Sequence, residues 1–92
     1  MTVIVINEES HGFLGVAKDY KSAVKYLYQM NWLNEEFELS EYNFQKKTWD
    51  CPTISEKLGP NWLDIICSWT ITEFNDYFEG MFAFWEEEVW EG

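Results

Sequence analysis

The chain has 92 residues, with six lysines and no arginine against seventeen aspartates and glutamates, a formal charge of −11, and 20% aromatic residues. A chain this short makes one small domain, 1–92, and it contains no linker and no internal repeat. The charge and the missing arginine argue against direct binding to a phosphate backbone and against an anionic membrane surface. They favour a basic partner, because opposite fields speed encounter.

Val3, Ile4, Val5 and Ile6 form a β-branched run that reads as a strand buried on both faces, or central in its sheet. Asn7 to Gly12 breaks it, and Phe13 to Ala17 predicts a second strand returning as an antiparallel hairpin, with His11-Gly12 at the turn. Gly15 within that strand points to a bulge or to a close approach by another backbone. Asp19, in preference to Ser22, caps a first helix whose apolar face is Tyr20, Ala23, Val24 and Leu27. Lys18, Lys21 and Lys25 oppose its dipole. Asn31 to Asn34 ends it, with Trp32 and Leu33 folding back over the end. Glu35 to Asp50 has no clear period and reads as a long irregular loop with at most one edge strand, of which Phe37-Glu38-Leu39 is the candidate.

Thr53-Ile54-Ser55-Glu56 has the form of a capping box opening one helical turn that stops at Gly59. Pro60 suits the first position of the next helix. There Trp62, Ile65, Ile66 and Trp69 fall at i, i+3, i+4 and i+7, widened by Leu63 and Cys67. Thr70-Ile71-Thr72-Glu73 is a second capping box, and its helix turns Ile71, Phe74 and Phe78 to one side until Gly80. Met81 to Trp90 then begins as a strand apolar on both faces. Glu86, Glu87 and Glu88 require that strand to leave the core or to become a solvated edge blunted by charge. The order β-β-α-(β)-α-α-β predicts a small α+β domain, with a mostly antiparallel sheet and helices on one face.

No cofactor or metal site is expected. Cys51 and Cys67 fit no metal spacing and form no CxxC, and the glutamate run lacks the alternating ligands and turn glycine of a calcium loop. A Cys51–Cys67 disulfide has no secretory context, residues 1–10 lack the form of a signal peptide, and no run approaches a membrane span. The expected address is the cytoplasm, with reduced thiols. His11, the one histidine, has no Ser or Cys motif beside it and reads as a turn residue, so no catalytic residue is assigned.

The acids carry the functional expectation. Glu73, Asp76 and Glu79 project opposite Ile71, Phe74 and Phe78. If the last strand packs beside that helix, Glu86, Glu87, Glu88 and Glu91 extend the row. Such an array resembles a phosphate backbone, and Trp85 and Trp90, if exposed, would be apolar anchors within a charged rim. The same residues also read as an ordinary solvated helix face and an acidic tail.

In size, charge, aromatic richness and the Val-Ile-Val-Ile…His-Gly-Phe-Leu-Gly-Val-Ala hairpin followed by a helix, the chain resembles the small acidic accessory proteins of phages and mobile elements. That class includes anti-CRISPR proteins and inhibitors of uracil-DNA glycosylase, several of which resemble DNA electrostatically. The resemblance implies a non-enzymatic inhibitor acting in the host cytoplasm. Its partner would be a basic, nucleic-acid-handling host protein such as a nuclease or effector. The alternative is a structural or regulatory interaction module that uses exposed aromatics, with the acid serving solubility. A homodimer is compatible with that alternative.

Overall fold

The computed structural model describes residues 1–89. In chain order its elements are β1 (Thr2–Glu8), β2 (Gly12–Ala17), α1 (Tyr20–Gln29), β3 (Glu41–Asn43), β4 (Thr48–Asp50), α2 (Ile54–Leu58), α3 (Trp62–Cys67), α4 (Ile71–Tyr77) and β5 (Phe82–Glu88). β1 is the middle strand of a three-stranded antiparallel sheet of order β2-β1-β5. That position explains its unbroken β-branched run. Ile4 and Ile6 face the helices, Val5 faces the other way, and all three are buried.

The β1–β2 ladder slips once. Ile6 pairs with Gly15 and Asn7 with Phe13, which leaves Leu14 as a bulge residue. Its carbonyl accepts a hydrogen bond from Tyr26 Oη on α1, at 3.1 Å. Gly15 makes room for that ring, since a Cβ there would stand 3.3 Å from Tyr26 Oη. The glycine thus adjoins a bulge and receives a close approach, but from a side chain rather than a backbone. Tyr26→Phe removes the bond and should lower stability by about 1 kcal/mol, read as a shift of the urea midpoint. An unchanged midpoint would mean that water serves Leu14 as well.

Asp19 caps α1 by accepting from the Ser22 amide at 2.8 Å. Beyond α1, Asn31 adopts φ 62, and the amides of Trp32 and Leu33 return to the Leu27 carbonyl. Leu33 is fully buried there. Thr53 caps α2 by accepting from the Glu56 amide, and Ile54 enters the core.

α3 differs from its expected extent. Pro60 lies in the turn ahead of the N-cap, Asn61, and is not the first helical residue. Ser68 Oγ donates to the Ile65 carbonyl at 2.6 Å as the helix closes. A helix that ends at Cys67 cannot carry an i+7 position. Trp69 therefore packs from the turn, against Tyr77 at 4.8 Å between ring centroids, and the buried face is Trp62 and Ile66. In α4 both halves of the capping box form. Phe78 is its C-cap, so Glu79 falls in the turn, where Gly80 takes φ 79.

The core gathers Ile4 and Ile6 of β1, Phe82 and Phe84 of β5, Ala23, Val24 and Leu27 of α1, and Phe74 and Phe78 from α4 and its cap, with Ile54, Trp62 and Ile66. Phe74 and Phe84 stack with centroids 4.0 Å apart and planes 6° from parallel. Tyr20 meets both rings edge-on and donates to the Ile66 carbonyl at 2.6 Å.

The middle region is more regular than expected. Phe37 and Leu39 anchor it inside: the Leu39 amide donates to Pro52, and Ile54 donates to the Phe37 carbonyl. Residues 41–50 then form a hairpin, β3–β4, rather than an irregular loop. Asn43 Oδ1 accepts from the amides of Gln45 and Lys46, which turns the chain without glycine, and Lys47 takes φ 55. Tyr42 pairs across the strands with Trp49.

Candidate functional site

Because β5 is an edge strand, its outward N–H and C=O groups need partners. Asn75 of α4 supplies two of them. Its Nδ2 donates to the Phe84 carbonyl and its Oδ1 accepts from the Phe84 amide, each at 2.8 Å. This amide clamp lies on the face of α4 next to Phe74 and holds the helix beside the strand. Glu86 and Glu88 of β5 share the helix side of the sheet with Ile4, and Glu87 lies on the opposite face with Val3. Beyond Phe84 the strand stays paired to β1 as far as Glu88, as a solvated edge blunted by charge.

The predicted acids divide by their local duties. Glu73 closes the capping box, its Oε1 accepting from the Thr70 amide at 3.1 Å. Glu88 accepts from the Met1 amino group at 3.2 Å and from Thr2 Oγ1 at 3.3 Å. Glu87 accepts from Trp85 Nε1 at 3.0 Å. The side chains of Asp76, Glu79 and Glu86 are exposed and make no hydrogen bond or ion pair among the described residues. These three are free to meet a partner. Glu91 and Trp90 lie outside the described residues.

Trp85 is 40% exposed and stands on the face of the sheet away from the helices. That face carries Val3, Val5, Phe13, Val16, Ala83 and Trp85. Val5 is only 7% exposed although no helix covers it, because it lies between its ladder partners Val16 and Trp85. A second apolar surface was not foreseen. On the β3–β4 hairpin, Tyr42 meets Phe44 and Trp49 edge-on, with centroids 4.9 and 5.3 Å away. Phe44 is 83% exposed and Trp49 68%. A sequence signal existed: two aromatics, Tyr42 and Trp49, placed symmetrically about Asn43 to Thr48, a segment able to turn. No such signal marked Asn75.

Groups suited to chemistry are scattered. His11 sits at the turn, as expected, with its Nδ1 2.9 Å from Glu8 Oε2 and its ring edge-on to Trp32. Glu8 Oε2 also accepts from the amides of Ser10 and His11. Cys51 and Cys67 are both free thiols, and burial raises the Cys67 thiol above its usual range. Among the described residues, no group of three or more His, Cys, Asp or Glu side chains could hold a metal ion. An open groove lined by Tyr28, Asn34, Glu35, Glu36 and Trp62 offers carboxylates but no basic side chain. No helix among the described residues is long and apolar enough to cross a membrane.

The Glu8 cluster gives a pH prediction. The hydrogen bond from His11, then those from the turn amides, hold the Glu8 carboxyl below its ordinary value of 4.5. A depressed carboxylate adds stability above its unfolded pKa and loses it as pH falls through the folded one. Glu8→Gln should therefore be less stable than the parent at neutral pH, with the difference shrinking below about pH 4.5. Urea midpoints measured from pH 7 to 3 decide this, and a difference constant with pH would refute it.

Comparison with protein-family models, curated proteins and solved structures finds no match for this chain.

Proposed function

We propose that this protein is a non-enzymatic inhibitor that binds a basic, nucleic-acid-handling protein of a host cell, such as a nuclease or effector of a defence system. The observation that carries the reading is the Asn75 clamp. It keeps α4, which carries Glu73 and Asp76 and ends in a turn at Glu79, beside β5, whose Glu86 and Glu88 share the helix side of the sheet. No lysine or arginine occurs after Lys57. A row of carboxylates on rigid elements attracts the groove that a basic protein uses for phosphates. Trp85, exposed on the other face of the same edge strand, supplies an apolar contact.

The test is capture from a bacterial lysate at low salt, elution by a salt gradient, and competition with DNA. The reading requires a basic partner that moderate salt and DNA both release. Combined Asp76→Lys, Glu79→Lys and Glu86→Lys substitution should abolish capture, because these side chains carry no local hydrogen bonds whose loss would confuse the result. Binding indifferent to both salt and charge reversal would overturn it.

A second reading has its own support. The uncovered Tyr42, Phe44 and Trp49 cluster fits an interaction module in which aromatics bind a partner protein and charge maintains solubility. Trp49→Ala or Trp85→Ala would then weaken capture more than the triple charge reversal does.

A further inference from the structure

A groove of about 840 Å³ opens at the C-terminal end of α1, between Tyr28 and Gln29 of the helix, Asn34, Glu35 and Glu36 of the turn beyond it, and Trp62 of α3. Its walls are fixed by contacts of their own. Trp62 is buried and holds the exposed Tyr28 ring at 5.8 Å between centroids. Asn34 Oδ1 accepts from the Glu36 amide at 2.9 Å, and the Glu35 carbonyl accepts from the Ser55 amide of α2 at 3.2 Å. The backbone beneath both carboxylates is therefore held. The side chains of Gln29, Glu35 and Glu36 are exposed and make no hydrogen bond or ion pair among the described residues. The charge is one-sided. No basic side chain among the described residues lines the groove, and Lys25 stands one turn back along α1. The last turn of α1 has no basic residue to complement the negative end of its dipole.

We infer that this groove receives an arginine side chain of a partner protein. Two unpaired carboxylates and the negative end of a helix select a cation. The ring selects its kind. A guanidinium is planar and more weakly hydrated than an ammonium, it stacks on an aromatic face, and its fork of donors matches carboxylates. The Tyr28 ring supplies the face, Glu35 and Glu36 accept, and the Gln29 amide oxygen adds a neutral acceptor. The groove is open rather than enclosing. That suits a side chain presented by a chain lying across it, whereas a free small molecule needs most of its surface covered. This chain has no arginine, so the occupant comes from another protein. None of the acids of α4 and β5 lines the groove, so the inference stands apart from the role proposed for them.

Amide NMR spectra of the full chain, titrated with acetyl-Gly-Arg-Gly-amide, are the test. The same peptide with citrulline keeps the shape and removes the charge. With lysine it keeps the charge and removes the plane. The arginine peptide should give saturable shifts at the amides of Gln29, Asn31, Glu35 and Glu36. The lysine peptide should bind more weakly, and the citrulline peptide should give no shift. Glu35→Gln with Glu36→Gln changes exposed side chains that hold nothing else, and should weaken the arginine peptide at least about fivefold. Tyr28→Leu keeps an apolar wall, removes the aromatic face, and should weaken it about threefold. An arginine peptide that gives no saturable shift would overturn the inference. So would a citrulline peptide that binds as tightly, an affinity unmoved by the paired glutamine substitutions, or shifts no larger here than at Asp76, Glu79 and Glu86. A lysine peptide as tight as the arginine one would overturn the choice of a guanidinium.

Discussion

Phe74→Ala is expected to cost about 3–5 kcal/mol and to leave little folded protein. Phe74 is fully buried at the centre of the helix–sheet interface. Its ring stacks on Phe84, contacts Phe78 at 4.6 Å and meets Tyr20 at 6.1 Å between centroids. Truncation loses the transfer free energy of the ring and leaves a cavity. Rigid aromatic neighbours on three sides limit its collapse. Domains of this size sit toward the low end of a stability range of about 5–15 kcal/mol, so one such loss consumes most of the margin. Urea unfolding followed by tryptophan fluorescence measures it. Phe44→Ala, with the same chemistry at an exposed position, should change stability by no more than about 0.5 kcal/mol. A Phe74→Ala cost below about 1 kcal/mol would show that the interface relaxes around the gap.

Asn75→Ala is the second large effect, expected at about 2–3 kcal/mol. It removes two hydrogen bonds to the backbone of Phe84 and leaves an edge-strand amide and carbonyl to find water in a half-buried seam. Asn75→Asp discriminates further. A carboxylate accepts from the Phe84 amide but cannot donate to the Phe84 carbonyl, whereas a carboxylic acid can do both. The introduced acid would have a folded pKa above its unfolded value, so its stabilising contribution is present at low pH and lost as pH rises through the folded value. Relative to the parent, the penalty should shrink on acidification. Hydrogen exchange at Phe84 gives a local readout, and its protection should fall first in Asn75→Ala. The clamp also bears on function. With α4 loosened from β5, Asp76 and Glu79 are no longer held on the same side of the sheet as Glu86, and capture of a basic partner should weaken with every acid still present. Unaltered capture by a folded Asn75→Ala protein would mean that the acids act singly.

Much of this architecture was legible in the residues because the signals are local. The β-branched run from Val3 to Ile6, the Asp19 cap, the Thr70–Glu73 capping box and the alternation that fails at Glu86 each depend on neighbours a few positions apart, and each has its expected counterpart in the fold. The errors came where a local pattern was read past its length. The i+7 tryptophan at position 69 belonged to a turn, because α3 stops at Cys67. Glu79 belonged to the turn after α4. The hairpin at residues 41–50 was missed because its turn depends on the Asn43 side chain and a positive φ at Lys47, not on glycine.

The sequence by itself determined the charge of the molecule, the strand character of Val3 to Ile6 and the absence of cations after Lys57. These follow from composition and from periodicity, which need no partner across space. Only the tertiary structure decided that Glu88 is engaged, since Met1 and Thr2 reach it across the β1–β5 ladder, whereas Glu73 is held by its own capping box and Glu87 by Trp85 two residues away. It also decided that the rings most open to solvent are Phe13, Phe44 and Trp49, with Tyr28, Tyr42 and Trp85 less so. Burial is a property of what packs above a side chain, and three strands with helices on one side leave the opposite face uncovered whatever residues it carries.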